Sequence, residues 1–136
     1  MARADKPELW AFLQPYFRST REFEVRFAIV VAMTYFMTEE WLPRIFEQFE
    51  ALRFEEISSE YQYAKGKPKA AQQGTAQGAQ PYYVRMAIAW FLATALAKHP
   101  DLTRTFIRTT SLPEDVLKLY IRKARESFRT REVAVR

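Results

Sequence analysis

Residues 81–98 read PYYVRMAIAWFLATALAK. From Met86 to Ala97 the only polar side-chain groups are the Thr94 hydroxyl and the Trp90 indole N–H. An apolar stripe that wraps the whole circumference predicts a helix buried on all sides. One charge, Arg85, stands at its head, and Trp90 follows five residues on. The same phrase occurs upstream. Val25-Arg26-Phe27-Ala28-Ile29 matches Val84-Arg85-Met86-Ala87-Ile88 at a constant offset of 59 residues, and Phe23 matches Tyr82. After a shift of one residue the segments that follow align as well: Leu42 with Leu102, Arg44 with Arg104, Phe46 with Phe106. Two copies of a buried helix followed by an amphipathic one make an internal repeat.

Around that repeat the chain of 136 residues reads as a single domain, 1–136. A hydrophobic content of 49% with 15% aromatics excludes global disorder, and three glycines with few β-branched runs favour helices throughout. There is no cysteine, so neither a disulfide framework nor a cysteine zinc site is available. The single histidine, His99, cannot build a histidine-rich metal site and is expected to satisfy the last carbonyls of its helix. No metal and no cofactor is expected. The N-terminal ARADKPELW has no apolar signal region, and the runs 27–37 and 86–97 fall short of the roughly 20 residues a membrane span needs. A cytoplasmic protein without a membrane partner is the expectation.

The pattern predicts about six helices. Lys6–Phe17 is amphipathic through Leu9, Trp10, Phe12, Leu13, Tyr16 and Phe17, with Asp5 as N-cap and Pro15 bending or ending it early. Glu22–Met37 is the first buried helix. Thr38 is expected to cap the third, with Glu39 and Glu40 in its first turn and Leu42, Ile45, Phe46, Phe49 and Leu52 inward. Ser58–Gln80 holds all the glycines, no large apolar residue in its main part, and no acid there; it reads as a flexible insertion at 58–80. Its lysines either contact phosphate or merely keep it soluble. After the opening stretch, Pro100 starts a short fifth helix to Thr109. Ser111-Leu112-Pro113-Glu114 reads as a capping box for a sixth, to about Arg125, before a fraying tail.

Stacked helix pairs of this kind build an all-α, α-α superhelix of the HEAT or armadillo type, whose inner helices line a concave face. Arg26 and Arg85 then project on the same side, one repeat apart. Each is either a rim arginine paired to a nearby acid or a cation in a shared trough. Trp90 is either a packed core indole or part of that trough, with Tyr82 and Tyr83 beside it. Charge points the same way. The net charge is +5, and the stretch from Lys118 to the end, with seven bases against two acids, holds all of the excess. Lys118, Arg122, Lys123 and Arg125 form either a polyanion-binding face or a solvated one.

EFEVRFAIVVAMTYF followed by YYVRMAIAWFLATALAKHP resembles the DNA alkylation repair proteins, the AlkD-like alkylpurine DNA glycosylases of HEAT-like fold, and is closest to their small bacterial branch. The tail Ile121-Arg122-Lys123-Ala124-Arg125-Glu126-Ser127 is similar to that family's closing helix. The resemblance implies binding of alkylated duplex DNA in a basic concave groove, with hydrolysis of the N-glycosidic bond in active members. It places Arg26 where the family has an arginine near the lesion, and Trp90 where it has a tryptophan lining the lesion pocket. Arg85 falls in the same motif without a specific role. The family's essential aspartate and a further pocket tryptophan belong to helices N-terminal to the matched region, and Asp5 and Glu8 match no motif. A DNA-binding domain of a repair protein, without a complete catalytic set, is therefore the expected function, its catalytic residues unknown. A helical scaffold for a protein partner is the alternative, and the open end of the superhelix invites a second copy or missing repeats.

Overall fold

The computed structural model describes residues 6–58 and 81–126. Asp5 as a cap, the 58–80 insertion past Ser58 and the tail after Glu126 lie outside them. Six α-helices make up the described fold: α1 (Lys6–Phe17), α2 (Glu22–Tyr35), α3 (Leu42–Ala51), α4 (Tyr82–Lys98), α5 (Pro100–Thr109) and α6 (Glu114–Glu126). A single 3-10 turn, Phe54–Glu56, and one isolated parallel bridge between Arg21 and Ser58 complete it. No described residue belongs to a strand, so the class is all-α, with helical pairs laid side by side.

The centre is α4, which packs against α2, α5 and α6. Ile88, Phe91, Leu92 and Leu96 are all fully enclosed. The repeat in the sequence is a repeat in space. Positions that match by the 59-residue offset share burial along the core face: Val25 and Val84, Ala28 and Ala87, Ile29 and Ile88, Ala32 and Phe91, Phe36 and Ala95 are all buried. Matching side chains also meet. Phe46 of α3 stacks on Phe106 of α5, with ring centroids 4.2 Å apart and planes 13° from parallel. Stacking of adjacent units brings like residues together in this way.

Charged groups join the helix starts. Glu22, fully buried in the first turn of α2, accepts a hydrogen bond from the Tyr83 N–H in the first turn of α4. A carboxylate suits that place, because a helix N-terminus offers unsatisfied amides and a positive dipole end. At the far end of the same two helices, His99 Nε2 lies 3.3 Å from the Met37 carbonyl oxygen. The two helices therefore run in the same direction. The ends of the return helices are tied likewise, the Ser111 N–H donating to Glu50 Oε2 at 3.2 Å.

Three local expectations are corrected. Pro15 neither ends α1 nor shortens it: the helix continues to Phe17. A proline in the last turn removes only the bond to the Ala11 carbonyl, and Ala11 is exposed to water. The third helix starts at Leu42, so Glu39 and Glu40 precede it, and Thr38 instead holds a turn by accepting from the Trp41 and Leu42 N–H groups. Pro43 decides this. It lacks an N–H and sits most readily in the first turn of a helix, where no donor is required. Finally, α2 closes at Tyr35, with Phe36 donating its N–H to the Ala32 carbonyl, two residues before the expected Met37.

Candidate nucleic-acid interface

The sequence pairs Arg26 with Arg85, but the structure gives them different environments. Arg85 is 7% exposed. Its Nη1 donates to Asp115 Oδ1 at 2.8 Å, and its guanidinium carbon lies 4.5 Å from the centre of the Phe54 ring. Burial pulls the guanidinium below its ordinary value, and the attraction and hydrogen bond of Asp115 pull it back. Arginine stays charged through such a shift. Arg85 is thus an internal link between α4, α6 and the 3-10 turn, and not a cation facing a trough.

Arg26 is exposed and makes no ion pair with any described residue. The reason lies in the next helix. Arg85 finds Asp115 in the first turn of α6, whereas the first turn of α4, the helix that follows α2 in the stack, holds no acid. Arg26 therefore stays exposed to water.

Trp90 is 49% exposed, although its helix is enclosed on almost every side. Along α4, Tyr83, Met86, Trp90, Thr94 and Ala97 are all half-buried or exposed and are spaced by three or four residues, so they form one seam along the helix. The expectation of burial on all sides is corrected to this extent: α2, α5 and α6 leave a narrow strip uncovered. The strip continues onto the neighbours through rings. Tyr82 and Tyr83, both half-buried, lie 5.5 Å apart, and Tyr83 is 5.6 Å from Phe23 of α2. One turn on, Phe27 packs on Tyr16 of α1 at 5.2 Å, and Tyr16 on Phe12 at 5.4 Å. Phe23 and Phe27 are 45% and 44% exposed. Arg26 stands between them in the sequence.

The sequence makes this aromatic face only partly legible: it points to Trp90, Tyr82, Tyr83 and Arg26. Phe12, Tyr16, Phe23 and Phe27 read as core residues, because their spacing fits the inward stripe of their own helices. Which side of α1 and α2 another helix covers is a property of the assembled stack.

On α6, Lys118, Arg122 and Arg125 are exposed at i, i+4 and i+7 and form one basic stripe. Lys123 is half-buried, its Nζ 4.0 Å from Glu126. Elsewhere, a pocket of about 340 Å³ opens between the α1–α2 turn and the end of α3, lined by Arg18, Ser19, Gln48, Leu52, Arg53 and Glu56 among others. Most of its polar groups are engaged with one another or with neighbours. Ser19 donates to Glu24, Gln48 donates to Gln14, and Arg53 pairs with Glu56. Among the described residues no group of three or more metal-binding side chains occurs, and no helix is long and apolar enough to cross a membrane.

Fold and surface together define a class: an all-α stack of paired helices with an open aromatic face and, among the described residues, an exposed arginine on α2 that makes no ion pair. No family model, curated protein or solved structure matches the chain.

Proposed function

We propose that this chain is a DNA-binding helical-repeat domain, of the kind its resemblance to AlkD-like DNA alkylation repair proteins implies, and that it binds without excising a base. The observation that carries the reading is the aromatic face itself: Phe23, Phe27 and Trp90 stand open to solvent, and Arg26, between Phe23 and Phe27 on α2, makes no ion pair with any described residue. Aromatic side chains stack on bases, and a guanidinium pairs with phosphate. The basic stripe Lys118, Arg122 and Arg125 adds phosphate contacts on α6. Base excision needs a carboxylate to stabilise developing positive charge or to orient water. Among the described residues, Glu22 is engaged by the start of α4, Glu24 by Ser19 and Asp115 by Arg85.

The test is retention on DNA as a function of salt. Binding that weakens as salt rises, and weakens on Arg26→Ala, supports the reading. No retention of either single-stranded or duplex DNA refutes it. A release assay on DNA carrying methylated purines is expected to liberate no base. The scaffold alternative draws on Phe12, at 54% the most exposed large apolar side chain among the described residues. Capture of one stoichiometric protein by a chain that DNA does not retain would favour it.

A further inference from the structure

We infer that the aromatic face takes unpaired nucleotides, so that the preferred ligand is single-stranded DNA and not intact duplex. This rests on the DNA-binding reading and narrows it. The argument is one of balance between rings and cations. With Arg85 taken into the interior, the cations that the reading invokes and that stand exposed among the described residues are Arg26, Lys118, Arg122 and Arg125; on α4 itself the exposed cation is Lys98, at the far end of the helix. A duplex offers a protein its phosphates and its groove edges, while the faces of its bases are closed by stacking. Duplex affinity therefore rests mainly on phosphate contacts, and four cations supply few of them.

The rings are in surplus. Phe23, Phe27 and Trp90 each leave close to half of their surface in water, with Tyr82, Tyr83 and Met86 beside them. A flat π surface gains nothing from a sugar–phosphate backbone. It gains from the face of a base, which only an unpaired nucleotide presents, and such stacking tolerates any sequence. The rings are also held in place before a ligand arrives. Phe23 leans on Tyr83, Tyr83 on Tyr82 and Phe27 on Tyr16, so little side-chain freedom is lost on binding. Arg26, between Phe23 and Phe27, places one positive charge where a phosphate between two stacked bases would run. An aromatic face with Arg26 set between two of its rings is therefore matched to a single strand.

Trp90 supplies the readout, because it is the exposed tryptophan. Trp10 and Trp41 pack into a cluster with Phe36, at 5.5 Å and 4.9 Å from its ring. The experiment titrates the full chain with a 20-nucleotide mixed-sequence strand, and separately with the same sequence as duplex, following tryptophan emission and the anisotropy of labelled DNA at two salt concentrations. The expected result is quenching by the single strand, with affinity at least tenfold above that for duplex. The slope of log affinity against log salt should be no steeper than about −3, as four phosphate contacts give on single strands. Trp90→Ala should weaken single-strand binding on the order of tenfold while helix content and the unfolding midpoint stay unchanged. Duplex binding as tight as or tighter than the single strand overturns the inference and leaves the DNA-binding reading standing. Binding of neither form overturns both. Single-strand binding that Trp90→Ala and Phe27→Ala leave unchanged also overturns it, since the rings are then not the contact.

Discussion

Helices α2 and α4 carry the same sequence phrase, yet one works at the surface and the other in the interior. At five matched positions, from Val25 and Val84 to Phe36 and Ala95, both are buried. They part on the flank that α6 covers in α4. There Arg85, Ala89, Leu92 and Ala93 are buried, while their counterparts Arg26, Val30, Met33 and Thr34 are exposed or half-buried. A repeat in sequence fixes the shared core contact, and the neighbours present on each side fix everything else. The same residue type at the same register can thus be an internal strut in one unit and a free cation in the next.

That contrast can be broken most severely at the matched pair Ala32 and Phe91. Phe91 is fully buried and meets Phe49 edge-on at 5.1 Å. Phe91→Ala should cost about 3–5 kcal/mol, measured by denaturant unfolding, because it leaves a large cavity in the centre of the stack. The second unit would then carry the first unit's small residue, and a cost below 1 kcal/mol would mean that α4 is not the centre of the core.

Removing Asp115 comes next. Asp115→Ala leaves the buried Arg85 guanidinium without its carboxylate. Breaking a buried pair costs about 3–5 kcal/mol, and because the Asp115 side chain is 36% exposed the expected loss is nearer 2 kcal/mol. Glu22→Gln should cost about 1 kcal/mol, since the amide oxygen still accepts from the Tyr83 N–H but the charge at the start of α4 is gone. Trp90→Ala should change stability by less than about 0.5 kcal/mol, as befits an open side chain, and appear only in binding.

The span of α1, the repeat and the all-α class follow from hydrophobic period, and the start of α5 from Pro100. The different fates of Arg26 and Arg85 do not, because they depend on whether the next helix opens with an acid, and that is settled only once the stack places α6 beside α4. The seam holding Trp90 escaped for a related reason. Its polar marks are few, so a helix open along one narrow strip reads in sequence like a helix enclosed all round.

The central claim is that Arg26 meets the ligand while Arg85 holds the fold, and it is tested most directly by comparing Arg26→Ala with Arg85→Ala in unfolding free energy and in affinity for single-stranded DNA. The account predicts a crossed result: Arg26→Ala loses affinity with stability within about 0.5 kcal/mol of the parent, and Arg85→Ala loses roughly 1–2 kcal/mol of stability through its lost pair and ring contact while the folded fraction keeps its affinity. Equal loss of affinity in both variants with no change in stability would contradict it.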